Sequence, residues 1–362
     1  MKRAVAGLVG LLMAGAAFAD VAVIERNHLG RIRAKEKQKH GNRHDRSLIK
    51  SFGDQALIDA GGVQYFINTD LPFSSTSSGS GAASEASYTG PVNADTSGGG
   101  SVSTTLTDAF DGYNSLCVSL TGATGPCDIS DTANYTLYAQ DGPASLDCNN
   151  RQVNNPPQTI GSIQVQRKIF VPANDQFARW ANIFTNTGGA PQSVTAVIVN
   201  NLGSDANTTI SGSSNGNTTA ELTDSWVTSD GNFVAPDDTD PRLGHILQAP
   251  GARTAVSALS FVTGNEFPTW AYTFSLQPGE TKIIVNFATA QATRAAAQAK
   301  SAELASLGGA ALDCLTPAEA SNIVNFEARG VTEIPTASGI GLAALALLLA
   351  GASFFVMRRR TV

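Results

Sequence analysis

The sequence predicts an all-β protein, a large β-sandwich closed by two short C-terminal helices. Three observations predict it. Apolar residues alternate with polar ones at a period of two along many short runs between residues 56 and 289. Turn residues punctuate those runs about every eight to twelve positions, the spacing of a sandwich. Helix-period and capping signals are confined to residues 290–330.

The runs follow in order. Val63, Tyr65 and Ile67 alternate with polar partners. Residues 72–105 are rich in Ser, Gly, Thr and Ala, a composition for loops or thin edge strands rather than a core. Ile163, Val165, Ile169 and Val171 form a strand that Pro172 ends, and a second run with Trp180 covers Phe177 to Thr185. Val194 to Val199 is apolar on both faces, which places it centrally in a sheet. Trp270, Tyr272, Phe274 and Leu276 alternate, and Ile283, Val285 and Phe287 answer them after Pro278-Gly279. Pro and Gly there suit the corners of a type II turn, so a β-hairpin is expected. A helix is expected from Ala290 to Leu307 with Gly308 as its cap. Thr316-Pro317-Ala318-Glu319 is a capping box that opens a second helix, with Ile323, Val324 and Phe326 as its apolar face.

Both ends of the 362-residue chain carry targeting signals. Lys2 and Arg3, an apolar run from Ala4 to Ala17 and a small-x-small site read as a signal peptide over 1–19, cut between Ala19 and Asp20. At the other end Gly339 to Met357 holds no charge. As a helix it is about 28 Å long, close to a bilayer core of about 30 Å. Arg358, Arg359 and Arg360 follow, so the positive-inside rule keeps them cytoplasmic and turns the body outward. The expected layout is a basic arm over 20–50, a sandwich over 51–289, a helical pair over 290–330 and a tail over 334–362.

That tail resembles the C-terminal sorting signals of bacterial surface proteins processed by exosortase-type enzymes. Ile334-Pro335-Thr336, one apolar span and an Arg cluster make up the resemblance. The motif is similar to the IPTL type, which continues Leu-Ser-Glu-Trp-Gly. Here Ser338 and Gly341 match that continuation and the other positions do not. The resemblance implies export, membrane contact through the C-terminal helix, a processing enzyme as partner, and delivery to the cell surface. More loosely, RKIFVPANDQFARWANIFTNTG, VNNLGSDANTTI and PRLGHILQ resemble secreted β-super-sandwich proteins, which implies fold and secretion without a known activity.

Charge and cysteines agree with export. The net charge is −6, but residues 51–333 hold ten Lys/Arg against 26 Asp/Glu, a net of −16. Such a body does not suit nucleic acid, whose phosphates need cations. The arm over 25–50 holds nine Lys/Arg against three acids, with His28, His40 and His44, and reads as a solvated segment or a dock for acidic polysaccharide or lipid. The four cysteines have no CxxC spacing for zinc. The favoured pairing is Cys117 with Cys127 across a Gly/Pro loop, and Cys148 with Cys314.

Chemistry is thinly signalled. Asp237, Asp238 and Asp240 could hold Ca²⁺ from a Pro-stiffened turn, with Asp205, Asp224 and Asp230 as distant ligands, and no other cofactor is indicated. His245, with Asp240 or Asp224, could act as a base, although a structural hydrogen-bonding role fits Gly-His-Ile-Leu better. Arg179 could clamp a carboxylate or pair within the strand. Asn134, Asn207 and Asn217 match the N-glycosylation pattern. No GxSxG elbow precedes a helix, no HExxH occurs, and no Gly-rich phosphate loop opens a helix. The leading expectation is a non-catalytic structural or adhesive surface protein. A carbohydrate-active enzyme or sugar-binding module comes second, marked by a groove with two carboxylates beside Trp226 or Trp270. A single-span periplasmic sensor comes third.

Overall fold

The computed structural model describes residues 54–69, 79–88, 91–95, 101–105, 109–110, 112–125, 127, 131–204, 208–231 and 241–326. All belong to one unit, which ends at Glu327. The signal peptide, basic arm, sorting motif and apolar tail lie outside these residues. Among the described residues, no helix is long and apolar enough to cross a membrane.

The first strands are β1 (Gln55–Ile58), β2 (Val63–Ile67), β3 (Ala83–Tyr88), β4 (Pro91–Asp95), β5 (Ser101–Thr105), β6 (Ser115–Ser119), β7 (Thr136–Leu137), β8 (Ser145–Asp147) and β9 (Gln152–Ile160). They continue as β10 (Ile163–Phe170), β11 (Ala178–Asn186), β12 (Gln192–Val199), β13 (Thr209–Ser213), β14 (Trp226–Asp230), β15 (Arg242–Ile246), β16 (Val256–Ser260), β17 (Thr269–Leu276) and β18 (Thr281–Gln291). Helices α1 (Arg294–Ala305) and α2 (Pro317–Ser321) close the chain.

An eight-stranded antiparallel sheet runs β13-β14-β15-β18-β11-β10-β9-β8, and a five-stranded one runs β16-β17-β12-β6-β7. Their facing sides share one core, in which Ile163, Val165, Ile169, Trp180 and Phe184 meet Val194, Ala196, Ile198, Trp270, Tyr272 and Phe274. Phe184 and Phe274 touch edge to face across the gap, 5.3 Å between centroids. The three-stranded sheet β1-β2-β3 adds Val63, Tyr65 and Ile67 to the same core. An all-β sandwich is thus what the alternation builds, and β12 occupies the middle of its sheet as its two apolar faces require.

Both outer faces are covered in part. Phe170, Phe177, Ile283, Val285 and Phe287 on the back of the larger sheet pack under Leu304, Ala311, Ile323 and Phe326. On the back of the smaller sheet, Val197, Val199 and Ala271 pack under Tyr135 and the Cys117–Cys127 disulfide. A second disulfide joins Cys148 to Cys314.

Three expectations are corrected. Pro278-Gly279 does form the turn, with Gly279 at φ +77° and the Glu280 amide donating to the Gln277 carbonyl at 2.9 Å. It is not a hairpin, however, because β17 pairs with β12 and β16 while β18 pairs with β11 and β15 in the other sheet. Each strand presents an apolar face to the shared core, so the turn carries the chain from one sheet to the other. Next, α1 starts at Arg294, because β18 extends through Gln291. Thr293 caps it, and Leu307, at φ +54°, takes the left-handed position expected of Gly308. The amides of Leu307 and Gly308 donate to the carbonyls of Leu304 and Glu303, the paired bonds of a Schellman ending. Finally, the Thr316–Glu319 capping box is present, but α2 ends at Ser321. Ile323 and Val324 lie beyond it as a strand-like strip, and Val324 donates to the Ile283 carbonyl. Within the low-complexity stretch, β3, β4 and β5 form, and Ala83 and Ala86 of β3 are buried.

Candidate functional site

Period two places Arg167 on the core side of β10, in line with Ile163, Val165 and Ile169. Its cross-strand neighbours are Asn155 on β9 and Asn182 on β11. The guanidinium is fully buried and donates to Asn182 Oδ1 at 2.8 Å, to the Ser80 carbonyl at 2.9 Å, and to the carbonyl and Oδ1 of Asn114 at 2.7 and 2.6 Å. Neutral oxygens therefore solvate the cation from three separate chain segments. Burial pulls its pKa down to about 9, so the charge persists at neutral pH.

His245 lies on the core side of β15 and is fully buried. Tyr113 Oη meets its Nδ1 at 2.9 Å and Ser229 Oγ meets its Nε2 at 2.9 Å. The rings of Phe110, Tyr113, Phe261 and Trp270 surround it at 5.4–6.4 Å. Desolvation drops its pKa to about 3, which keeps the imidazole neutral. Burial likewise pushes the Tyr113 phenol well up. Asp224 is committed elsewhere, accepting from Ser214 Oγ, the Asn215 amide and the Glu221 amide. The structure thus makes His245 an interior strut rather than a base paired with Asp224. Asp240 lies outside the described residues.

Arg179 faces the helical side of β11. It donates to the Ala311 and Asp313 carbonyls at 2.8 and 2.7 Å, bonds Gln152, and stacks on Phe170 at 4.8 Å. It fastens the loop between α1 and α2 instead of clamping a carboxylate ligand. Asp230 meets Arg294 through two hydrogen bonds, 2.6 and 3.0 Å. Asp205, Asp237, Asp238 and Asp240 fall outside the described residues. Among the described residues, no group of three or more His, Cys, Asp and Glu side chains is placed to hold a metal. Trp270 is buried and Trp226 half-buried against the helical cap, so neither stands free beside a groove. Asn217 is exposed, Asn134 half-buried, and Asn207 lies outside the described residues.

A groove of about 550 Å³ opens where the three-stranded sheet meets the edge of the eight-stranded one. Its lining is Gln55 of β1, Thr69, Pro143, Ala144, Ser145 and Leu146 at β8, and Val153 of β9. That volume falls in the usual range for small-ligand sites, about 300–1,000 Å³. Buried Gln140 fixes two of its edges by donating to the Thr69 carbonyl at 3.2 Å and the Gly142 carbonyl at 3.0 Å. Nearby, Arg151 ties the β8–β9 turn to β1 through the Ile58 carbonyl. Leu146 is 41% exposed on this surface. Sequence reasoning missed the groove because its lining comes from four separated segments, each unremarkable alone. The one local signal was Leu146, set between Ser145 and Asp147.

No family model and no curated protein matches this chain. Solved structures show distant likeness. A polysaccharide lyase is 16% identical over 67% of this chain and 34% of its own, with a TM-score of 0.37. Heparan sulfate lyase HepC from Pedobacter heparinus is 14% identical over 76% of this chain and 41% of its own, with a TM-score of 0.28. A galactose mutarotase-like protein from Lactobacillus casei is 11% identical over 67% of this chain and 98% of its own, with a TM-score of 0.29. The match therefore spans about a third of the first lyase and two fifths of the second. Likeness at this level leaves function to the site itself.

Proposed function

We propose that this chain is an exported, disulfide-braced β-sandwich that holds neutral carbohydrate in the groove beside β1 and β8, as an adhesive or matrix component without turnover. The lining of that groove carries the reading. One amide (Gln55) and two hydroxyls (Thr69, Ser145) stand among Pro143, Ala144, Leu146 and Val153. Amide and hydroxyl groups suit sugar hydroxyls, and aliphatic walls suit the C–H faces of a pyranose. Among the described residues, no lining side chain ionises, whereas glycoside hydrolysis uses a pair of carboxyl groups flanking the bond.

The interior supports a scaffold that stays rigid. His245 and Arg167 are held by partners on distant segments, so the core polar groups fix geometry. Two disulfides accord with an oxidising compartment, and the signal peptide and sorting motif would supply the route there. On this reading the tail is a membrane anchor until an exosortase-type enzyme removes it.

Affinity electrophoresis through gels cast with neutral polysaccharides tests the proposal. The wild-type protein is retarded by at least one of dextran, pullulan or galactan, and Leu146→Asp with Gln55→Ala removes most of that retardation without altering Tm. Retardation that the double variant keeps, or no retardation in any gel, rules the groove out. Reducing ends released during the run rule out the non-catalytic role.

A further inference from the structure

We propose that the Cys148–Cys314 disulfide is a thiol-exchange latch, opened in the folded protein by a dithiol reductant while Cys117–Cys127 stays closed. The two cross-links sit in opposite surroundings. Cys117 and Cys127 are buried in the small core beneath Tyr135, with Val197, Val199 and Ala271 around them. Cys148 and Cys314 are only partly buried, and Asp147, Asn149, Asn150 and Asp313 beside them are exposed. Exchange requires a thiolate to reach one sulfur, so access separates the two bonds.

Backbone conformation separates them further. Both ends of the latch lie in left-handed backbone, Cys148 at φ +50° and Cys314 at +65°. Asn149 at +56° and Asn150 at +61° extend that conformation. A Cβ in this region crowds the following carbonyl, which is why glycine normally occupies it. The cross-link pins β8–β9 to the α1–α2 loop, and its opening lets these four residues relax. Loop entropy favours the bond that closes 166 residues over the one that closes 10, and the left-handed backbone opposes it.

Opening need not unfold the cap. Arg179 still holds the Ala311 and Asp313 carbonyls, and the Thr316–Glu319 box still starts α2. In the exchange, the reductant thiolate bonds to one Sγ and the other Sγ leaves as thiolate, taking a proton from water. The second reductant thiol then resolves the mixed disulfide. The net change oxidises one dithiol and reduces one disulfide. β8 carries Ser145 and Leu146 just before Cys148, so the open latch frees one wall of the groove. That consequence alone rests on the carbohydrate reading, whereas the test below reads thiols only.

The full-length oxidised protein is incubated with dithiothreitol without denaturant, quenched with an alkylating agent and mapped by peptide mass. Cys148 and Cys314 label together about tenfold or more faster than Cys117 and Cys127. Hydrogen exchange then rises over residues 145–152 and 307–316 and stays unchanged in β10–β12. An N149G/N150G variant, which permits the left-handed backbone without crowding, slows the labelling several-fold. Simultaneous labelling of all four cysteines, prior labelling of Cys117 and Cys127, no labelling short of unfolding, or an unchanged rate in the glycine variant overturns the latch.

Discussion

Arg167 occupies a position that period two assigns to the core, between Val165 and Ile169, and its partners explain how a cation can stay there. Its inward direction was legible in the alternation. Its partners Ser80 and Asn114 were not, since they lie 87 and 53 positions away and only folding brings them together. His245 was legible as a hydrogen-bonder from its apolar neighbours, while Tyr113, 132 positions off, was not. Asp59 gave no signal at all. It is buried in the β1–β2 turn, where Oδ1 accepts from the Gly61 and Val63 amides at 2.8 and 3.0 Å and Oδ2 has no hydrogen-bond partner among the described residues. Burial raises its pKa to about 7, against the opposing pull of those amides and of Arg151. The two groups act on stability with opposite sign. The unfolded chain binds a proton at His245 that the folded one excludes between about pH 3 and 6.5, so this contribution rises with pH. The folded chain holds a proton on Asp59 that the unfolded one loses between about pH 4 and 7, so that contribution falls as pH rises. Between pH 4.5 and 6 the two cancel. Asp59→Asn keeps the Oδ1 acceptor and removes the second slope. Its unfolding free energy by denaturant titration therefore rises by about 2 kcal/mol from pH 4.5 to 6, relative to the wild-type profile. Parallel profiles for variant and wild type would show that Asp59 is not held protonated.

At the scale of elements, strands were legible wherever one face met the core, and their partners were not. LQPGET looks the same whether its two strands pair with each other or diverge, because either outcome buries the alternating faces of β17 and β18. The divergence became visible only through the register of each strand with its own sheet. The end of α1 shows a similar limit, since Leu307 rather than a glycine takes the left-handed position, held by the Schellman bonds and by burial of Leu304 beneath it. Two glycines distinguish turn geometry from packing. A Cβ on Gly279 meets nothing within 4 Å, so Gly279→Ala costs only its backbone conformation, about 1 kcal/mol. A Cβ on Gly244 of β15 would overlap Ser301 Oγ of α1 and lie 2.8 Å from Thr289 Cγ2. Gly244→Ala therefore forces the Ser301 and Thr289 side chains aside in a packed seam and costs more, about 1–3 kcal/mol. Thermal unfolding of both variants checks the order, and equal losses would mean that α1 does not rest on β15.

At the scale of the molecule, the sandwich, the helical cap and the cystine positions followed from sequence pattern, whereas the groove arises from the meeting of two sheets. The ends of the chain lie outside the described residues, so export is tested on the protein itself. N-terminal peptide mapping of the mature protein by mass spectrometry gives Asp20 as the first residue, and a chain that keeps Met1 contradicts secretion through a cleaved signal. The central claim is that neutral sugar is held, and left intact, beside β1 and β8. Amide exchange with and without a retained neutral oligosaccharide tests it most directly, with reducing ends counted in the same samples. The account predicts added protection over residues 55–58, 69 and 143–153, with no new reducing ends. Protection elsewhere on the sandwich, or oligosaccharide shortened during the incubation, contradicts it.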